Sequence, residues 1–519
     1  MKNWVKRHYI GIVMSILAGL ISVMPNLVFI NSDDYQGLPI MGTDAESLYL
    51  SRINGVYKGC IYNCNPYIKE YNNVYPHFNS SLSESIVAIY GIITHTPIVV
   101  LKVFYEFLLL SILYFLVYFL VFRLTNNILI SLLGACFIVF GYNLLNTTDL
   151  INIPDILELI RFKTDYTQFL IFSRPINPQF SSVFFFLYLH VLLSAISTKS
   201  KKWFLMLAIT YGLSFYIYFF TYAFATVVQG VWIGVYAIRK QWKTMLSFAV
   251  ATLLGLLIAT PIFIQILKLF NHPFYSTIPT YYLLRTHIPD ISFIGIVLLL
   301  LFIITSILYF KKFKTFSNQS YFVAVLISAC FITRNEHIVS GMIMQYNHFE
   351  MYLFSPIFVI GICFCTRSFI GDVSLQKHKY IILFLISFTV FNASLIQYRS
   401  YKHWLPYSLS TQKHISVLEW TKDNLSDSSV ISAPEPLANY IPYYTRNYVL
   451  WTEHAGQWIS IPGRKEDYDY SRTSQKALEE IGKKYNIDYY VEERKNDLLA
   501  KSKKRIVYVD EYFVVYKAD

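Results

Sequence analysis

The segment PIVVLKVFYEFLLLSILYFLVYFLV, Pro97–Val121, decides the class of fold: 25 residues with two charged side chains, Lys102 and Glu106. A helix needs ~20 mostly apolar residues to cross the hydrocarbon core of a bilayer, so this run is long enough to span. The same measure applied outward gives eleven spans: His8–Ile30, Pro97–Val121, Ile128–Leu145, Ile176–Ile196, Trp203–Phe220, Tyr222–Ile238, Met245–Leu267, Ile291–Phe310, Tyr321–Thr333, Phe349–Phe369 and Tyr380–Gln397. The expected fold is a polytopic α-helical membrane domain, residues 1–398, followed by a small soluble α/β domain, residues 399–519. Glu106 is costly to bury unpaired within a span, and Lys102, one turn earlier, is its expected partner.

The whole chain agrees with that segment. Of its 519 residues 55% are hydrophobic and 15% charged, whereas soluble domains run about 25% charged. The net charge of +12 falls as short clusters between apolar runs and not as one stripe, so no nucleic-acid partner is expected. These clusters alternate. Lys2, Lys6 and Arg7 precede the first span, and Arg123 follows the second. Lys199, Lys201 and Lys202 follow the fourth, and Arg239, Lys240 and Lys243 the sixth. Lys311, Lys312 and Lys314 follow the eighth, and Arg367, Lys377 and Lys379 the tenth. Lys and Arg mark the cytoplasmic loops, which puts all six groups on one side. The acids Asp33, Asp34, Asp44, Glu46, Glu70, Glu84, Asp149, Asp155, Glu158 and Asp165 fall in the other, longer loops. The expected protein is therefore multi-pass in the plasma (inner) membrane, with a cytoplasmic N-terminus and with loop 31–96 and the tail outside.

Cys136, Cys330, Cys363 and Cys365 lie in apolar runs and read as small core residues. Cys60 and Cys64 suit a disulfide outside the cytosol, and no second pair completes a zinc site. The first apolar run is long enough to span and lacks a small-residue cleavage site, so it is not expected to be removed. In the tail, hydrophobic periodicity predicts helices over Ser410–Leu425 and Ser474–Tyr485, strands over Ser429–Ala433 and Ile487–Glu492, and a hairpin of Ile506–Asp510 with Tyr512–Lys517. Neither a dinucleotide fingerprint, a P-loop, a zinc-protease helix nor a nucleophile elbow occurs.

The most informative polar stretch is Gly42-Thr43-Asp44-Ala45-Glu46-Ser47-Leu48-Tyr49-Leu50-Ser51-Arg52-Ile53. Thr43 with Glu46 three residues later is a capping-box pattern. Tyr49, Ile53, Val56 and Tyr57 recur at helical spacing with Arg52, Asn54 and Lys58 elsewhere, and Gly59 can close the helix. The pattern predicts a short amphipathic helix on the outer membrane surface. Its carboxylates have two readings: Asp44 and Glu46 serve the helix start, or a carboxylate at the water–lipid boundary acts as a general base or holds a divalent cation.

This stretch, following the first span and leading into Asn65-Pro66-Tyr67 with Glu70, resembles the acidic motif of the integral-membrane glycosyltransferases of the GT-C superfamily, including the protein O-mannosyltransferases and the lipid A aminoarabinose transferases. The resemblance covers the whole chain in architecture and a few residues in motif. Here the acids are spaced D-x-E and are not adjacent, which leaves Glu46 as helper or cap. The resemblance implies transfer of a sugar from a polyprenyl-phosphate donor to a lipid or glycan acceptor on the outer face, beside membrane lipid, with Asp44 as the essential acid and Glu70 in the substrate region. A divalent cation as cofactor stays open.

In such a reaction a base activates the acceptor hydroxyl while a cation stabilises the departing phosphate. The candidate cations are Arg174, in Ser173-Arg174-Pro175-Ile176-Asn177-Pro178-Gln179, and Arg334, because a guanidinium fork can bond two phosphate oxygens. Arg174 is equally an interfacial anchor. Arg285 and His287 are weaker candidates. Gln345-Tyr346-Asn347-His348 is unusually polar for its place between spans, which makes Gln345 and His348 candidates for substrate hydroxyls, although a lone histidine is more often a structural hydrogen-bonding residue. Glu453-His454, Arg464-Lys465-Glu466 and Arg472 are candidates for an acceptor surface, or ordinary solvated charge. Two rivals remain open at this point: a transporter or flippase of lipid-linked glycans, and a glycan polymerase.

Overall fold

The computed structural model describes residues 2–42, 44–59, 65–72, 82–141, 168–174, 176–271, 283–289, 317–344, 346–458 and 463–518, together with residues 300, 303, 304 and 307. Among the described residues eight helices are long and apolar enough to cross a membrane: Asn3–Ile30, Ile98–Thr125, Gln179–Thr198, Phe219–Ile238, Trp242–Phe270, Asn318–Ser340, Glu350–Phe369 and Lys379–Gln412. Two further expected spans are the shorter helices Ile128–Phe140 and Lys201–Ser214, of 13 and 14 residues. The Asn127 side chain caps the former, accepting from Ile130 N at 3.1 Å. The expected span Ile291–Phe310 lies almost wholly outside the described residues, as do Cys60 and Cys64. Along Trp242–Phe270, Leu246, Leu253 and Leu257 are 60–67% exposed, an apolar face that water would not tolerate and lipid would.

The chain forms two compact units. One comprises Met1–Met24, Glu106–Phe263 and Tyr282–Arg399. Its helices pack through small residues and stacked rings. A Cβ on Gly212 would lie 2.7 Å from Gly255 O, so these glycines let the backbones of Lys201–Ser214 and Trp242–Phe270 approach. Trp232, Tyr236 and Phe248 stack beside them. Buried Gln397 in this unit is bonded to protein at both ends of its amide: its Nε2 donates to Ser22 O at 2.8 Å while its Oε1 accepts from Leu170 N at 3.0 Å. Glu106 accepts from Ser22 Oγ at 3.5 Å. An antiparallel ribbon of β1 (Leu283–Arg285) and β2 (Met342–Met344), which periodicity does not reveal in strands this short, ties two expected loops together.

The other unit comprises Pro25–Tyr105, Ile264–Tyr281 and Ser400–Asp519. Its five-stranded sheet has the order β4-β3-β5-β7-β6, from β3 (Val430–Ser432), β4 (Tyr448–Val449), β5 (Tyr489–Glu493), β6 (Ile506–Val509) and β7 (Phe513–Lys517). β4 and β5 flank β3 in parallel, and β7 runs antiparallel to both β5 and β6. The expected tail strands and hairpin are present. So is the helix Gln475–Lys484, capped by Ser474 and burying Ala477, Leu478, Ile481 and Gly482 on one face. The expected helix Ser410–Leu425 is divided: Lys379–Gln412 ends inside it, and Ile415–Asn424 follows. Gln412 fixes that break, its Oε1 accepting from Gln36 N at 3.0 Å and its Nε2 donating to Leu38 O at 2.9 Å.

The helix Asp44–Tyr57 forms as expected, but not as an amphipathic helix on a membrane surface. Leu48, Tyr49, Leu50, Ile53 and Val56 are buried, and so are Ser47, Ser51 and Asn54. It packs against Leu437–Tyr444 from the tail and against Leu82–Thr94, an apolar helix within the expected outer loop that its 13 residues leave too short for a span. Gly91 permits that second contact, since a Cβ there would collide with Tyr57 Oη.

Candidate active site

In the unit that contains the tail, the candidate site is built on the helix Asp44–Tyr57. Asp44 occupies its first position, and Thr43, the expected cap, lies outside the described residues. With 3.6 residues per turn, position 44 shares a stripe with Ser47 and Ser51, while position 46 lies on another face with Leu50 and Ile53. The two acidic positions of the motif therefore fall on different stripes of the helix. Glu46 is buried, accepts from Gly42 N at 3.4 Å and lies 3.2 Å from Lys102 Nζ. Lys102 also donates to Ile40 O at 3.4 Å. Nothing in the spacing of the sequence points to this pair.

Ser47 meets the tail. Ser47 Oγ and His454 Nε2 share a hydrogen bond of 2.5 Å. The ring centroids of Tyr67 and His454 are 6.5 Å apart, and burial pushes the Tyr67 phenol up. Asn65 shapes this turn, its Oδ1 accepting from Tyr67 N at 2.8 Å and Ile68 N at 2.9 Å. Farther along the helix Arg52 forms a 2.9 Å ion pair with buried Glu84, and Asn54 Nδ2 donates to the carbonyls of Pro442, at 2.8 Å, and Thr445. Glu70 meets the buried Arg464, whose Nη1 and Nη2 lie 3.2 and 3.3 Å from its Oε1. The same guanidinium covers the Tyr485 ring at 3.6 Å and donates through Nε to Leu450 O at 2.8 Å.

The other unit holds the candidate cations. Arg174 donates through Nε to Asn177 O at 2.6 Å and through Nη2 to Tyr352 Oη at 3.3 Å. Both acceptors are neutral. His348 Nδ1 and Tyr218 Oη share a hydrogen bond of 2.7 Å, and the His348 ring is packed by Phe220 at 4.9 Å and Tyr352 at 5.3 Å. Burial, with the Arg174 charge adding to it, pulls His348 down to about 4, so the ring is neutral at pH 7. Arg174, Tyr352, Tyr218 and His348 thus form one cluster of fork donor, phenols and ring faces. A π-helical turn, Glu350–Phe354, carries Tyr352.

Arg334 has a different setting. It is ion-paired to Glu350, which is buried, and this pairing commits its charge within the protein. The signal for Glu350 is present in the sequence, as an acid at the head of an apolar run that must find a partner. His287 Nδ1 donates to Ile338 O at 3.0 Å in the ribbon region. Gln345 and the side chains of Asp44, Arg285 and Asn347 lie outside the described residues. Among the described residues no three His, Cys, Asp or Glu side chains converge as metal ligands. Tyr218 and Tyr352 are contributors that local sequence patterns do not single out.

No protein-family model matches the sequence, and no curated protein matches it in sequence. Solved structures do match the fold. ArnT from Cupriavidus metallidurans bound to undecaprenyl phosphate is similar over 99% of this chain and 98% of its own, with a TM-score of 0.51 and 10% identity. The apo state of that protein gives 0.50. The arabinofuranosyltransferase AftD from mycobacteria is similar over 100% of this chain, with a TM-score of 0.53 and 11% identity, and this chain spans 40% of its length. The fold is similar to that of ArnT and of the arabinofuranosyltransferase AftD.

Proposed function

We propose that this protein is a membrane glycosyltransferase that moves a sugar from a polyprenyl-phosphate donor to an acceptor hydroxyl on the extracytoplasmic face, and that Asp44 is its general base. The observation that carries the reading is the buried helix Asp44–Tyr57, which opens on the acid of the motif and is tied at Ser47, Arg52 and Asn54. A base must be held within hydrogen-bond reach of the proton it removes, and a helix fixed at three points along its length supplies that constancy. In the reaction the acceptor oxygen loses its proton to Asp44 and attacks the anomeric carbon. The bond from that carbon to the phosphate oxygen breaks, and the lipid phosphate leaves with its electron pair.

Glu46 is better suited to holding the helix than to chemistry, since its charge serves Lys102. For the donor phosphate the candidates are Arg174, which bonds Asn177 O and Tyr352 Oη, and Arg334, which is ion-paired to Glu350. The similarity in fold to ArnT bound to undecaprenyl phosphate supports a lipid-phosphate donor. The test is transfer of a labelled sugar from polyprenyl phosphate to membrane acceptors by the protein in proteoliposomes. Asp44→Asn is expected to abolish transfer while leaving the protein folded, and wild-type turnover by that variant would falsify the assignment.

A further inference from the structure

The sheet of the tail ends on β6, which pairs with β7 along one edge and, among the described residues, with no strand along the other. Solvent reaches this edge: Ile506 and Val509 are 53% and 51% exposed although both are apolar. An open edge presents unpaired N–H and C=O groups to which a further strand can add. Arg505 O accepts from Lys517 N at 2.9 Å and Asp510 N donates to Phe513 O at 3.0 Å, so the backbone groups of these two residues turn toward β7. Successive residues of a strand direct such groups to alternate sides, which points those of Ile506 and Val509 away from β7. The three-residue step between them is possible because the ladder shifts register between Ile506 and Tyr508.

The sequence along this edge is Lys504-Arg505-Ile506-Val507-Tyr508-Val509-Asp510-Glu511, in which two cations precede the uncharged strand and two anions follow it. Laid antiparallel beside a second copy of itself, centred between Val507 and Tyr508, it sets Ile506 opposite Val509, Arg505 opposite Asp510 and Lys504 opposite Glu511, in both halves. The outward backbone groups of Ile506 and Val509 then face each other, and the register shift is matched because both strands carry it. Opposite charges directly across a strand pair are favourable and like charges are not, so a parallel partner is disfavoured. A uniformly anionic surface would meet Asp510 and Glu511 as well as the cations. We propose that β6 is a homodimer interface, through which two copies of this chain join their tail sheets by antiparallel pairing of β6 with β6. The strand is four residues long, so the contact is weak in dilute solution and strengthens where copies are crowded in one bilayer. The inference is independent of the glycosyltransferase reading.

The test uses the full chain in liposomes, with copies labelled at the C-terminus by a donor or an acceptor fluorophore and mixed at several protein-to-lipid ratios. Wild type should give energy transfer above the level of random proximity. Lys504→Glu and Glu511→Lys should each weaken apparent association about fivefold or more, because opposite-charge pairs become like-charge pairs, and Lys504→Glu/Glu511→Lys together should restore it. Wild-type transfer at the random level overturns the proposal, and so does a double variant no better than the single ones. Loss in Lys504→Glu with gain in Glu511→Lys would mark an anionic surface as the occupant and likewise overturn it. Separately, Ile506→Cys/Val509→Cys should form an oxidant-dependent covalent dimer that neither single variant nor wild type forms. Equal cross-linking in Ile506→Cys alone, or none in the pair, rejects the antiparallel register.

Discussion

Lys102 Nζ lies 3.2 Å from a carboxylate oxygen of Glu46, with side-chain exposures of 2% and 7%. The pair joins the first turn of the helix Asp44–Tyr57 to the helix Ile98–Thr125. Removing one member of a buried ion pair strands the other charge and costs about 3–5 kcal/mol, whereas replacing both by apolar groups of similar size is often close to neutral. Glu46→Gln or Lys102→Met alone should therefore lower the thermal midpoint of the solubilised protein sharply. The double variant Glu46→Leu/Lys102→Met should recover most of the loss. Equal loss in single and double variants would show that the pair is not the source of the effect.

Arg174 and Arg334 should separate by phenotype. Arg334→Ala leaves buried Glu350 without its partner and is expected to reduce folded yield, at a cost of about 3–5 kcal/mol. Arg174→Lys keeps a charge but loses the planar fork that reaches Asn177 O and Tyr352 Oη together. It should leave folded yield near wild type while raising the donor KM about tenfold. Size-exclusion yield and steady-state kinetics read the two effects independently.

His348 supplies a pH signature. Its folded-state value is drawn down from 6.5 to about 4, first by burial and then by Arg174, so the folded protein binds this proton less readily than the unfolded chain does. Stability from this group is complete above about pH 6.5 and is lost progressively as the pH falls toward 4. His348→Phe, which cannot be protonated, should flatten that part of the stability curve. Thermal midpoints of wild type and variant across pH 4–8 make the comparison, and parallel curves would reject the assignment.

Ser47 and His454 should behave as a unit. Ser47→Ala and His454→Ala each remove one side of a buried hydrogen bond, and a double-mutant cycle in stability should give a coupling of about 1 kcal/mol. If the bond also positions the helix for catalysis, each single variant should lower kcat more than KM.

The long apolar helices were legible because span length and hydropathy are read along the chain without knowledge of packing. Sheet strands in the tail were legible for the same reason, their alternation being local. What surrounds the helix Asp44–Tyr57 was not legible. Its apolar positions predicted one buried face, yet Ser47, Ser51 and Asn54 are buried as well, because their partners at Pro442, Thr445 and His454 lie at the far end of the sequence. Similarly, Arg174 and Arg334 are alike as sequence, and only the positions of Tyr352 and Glu350 distinguish them.

The Ser47–His454 bond joins residues 407 positions apart, and this separation bears on biosynthesis. Chains are made from the N-terminus and their parts fold in that order. The segment of Asp44 thus leaves the ribosome well before His454 does. Throughout translation its apolar side chains have no finished pocket and must be shielded by lipid or a chaperone. A chain that terminates before residue 454 carries the acidic motif intact and still lacks the tie at Ser47, so premature products should lack a fully fixed helix at that motif.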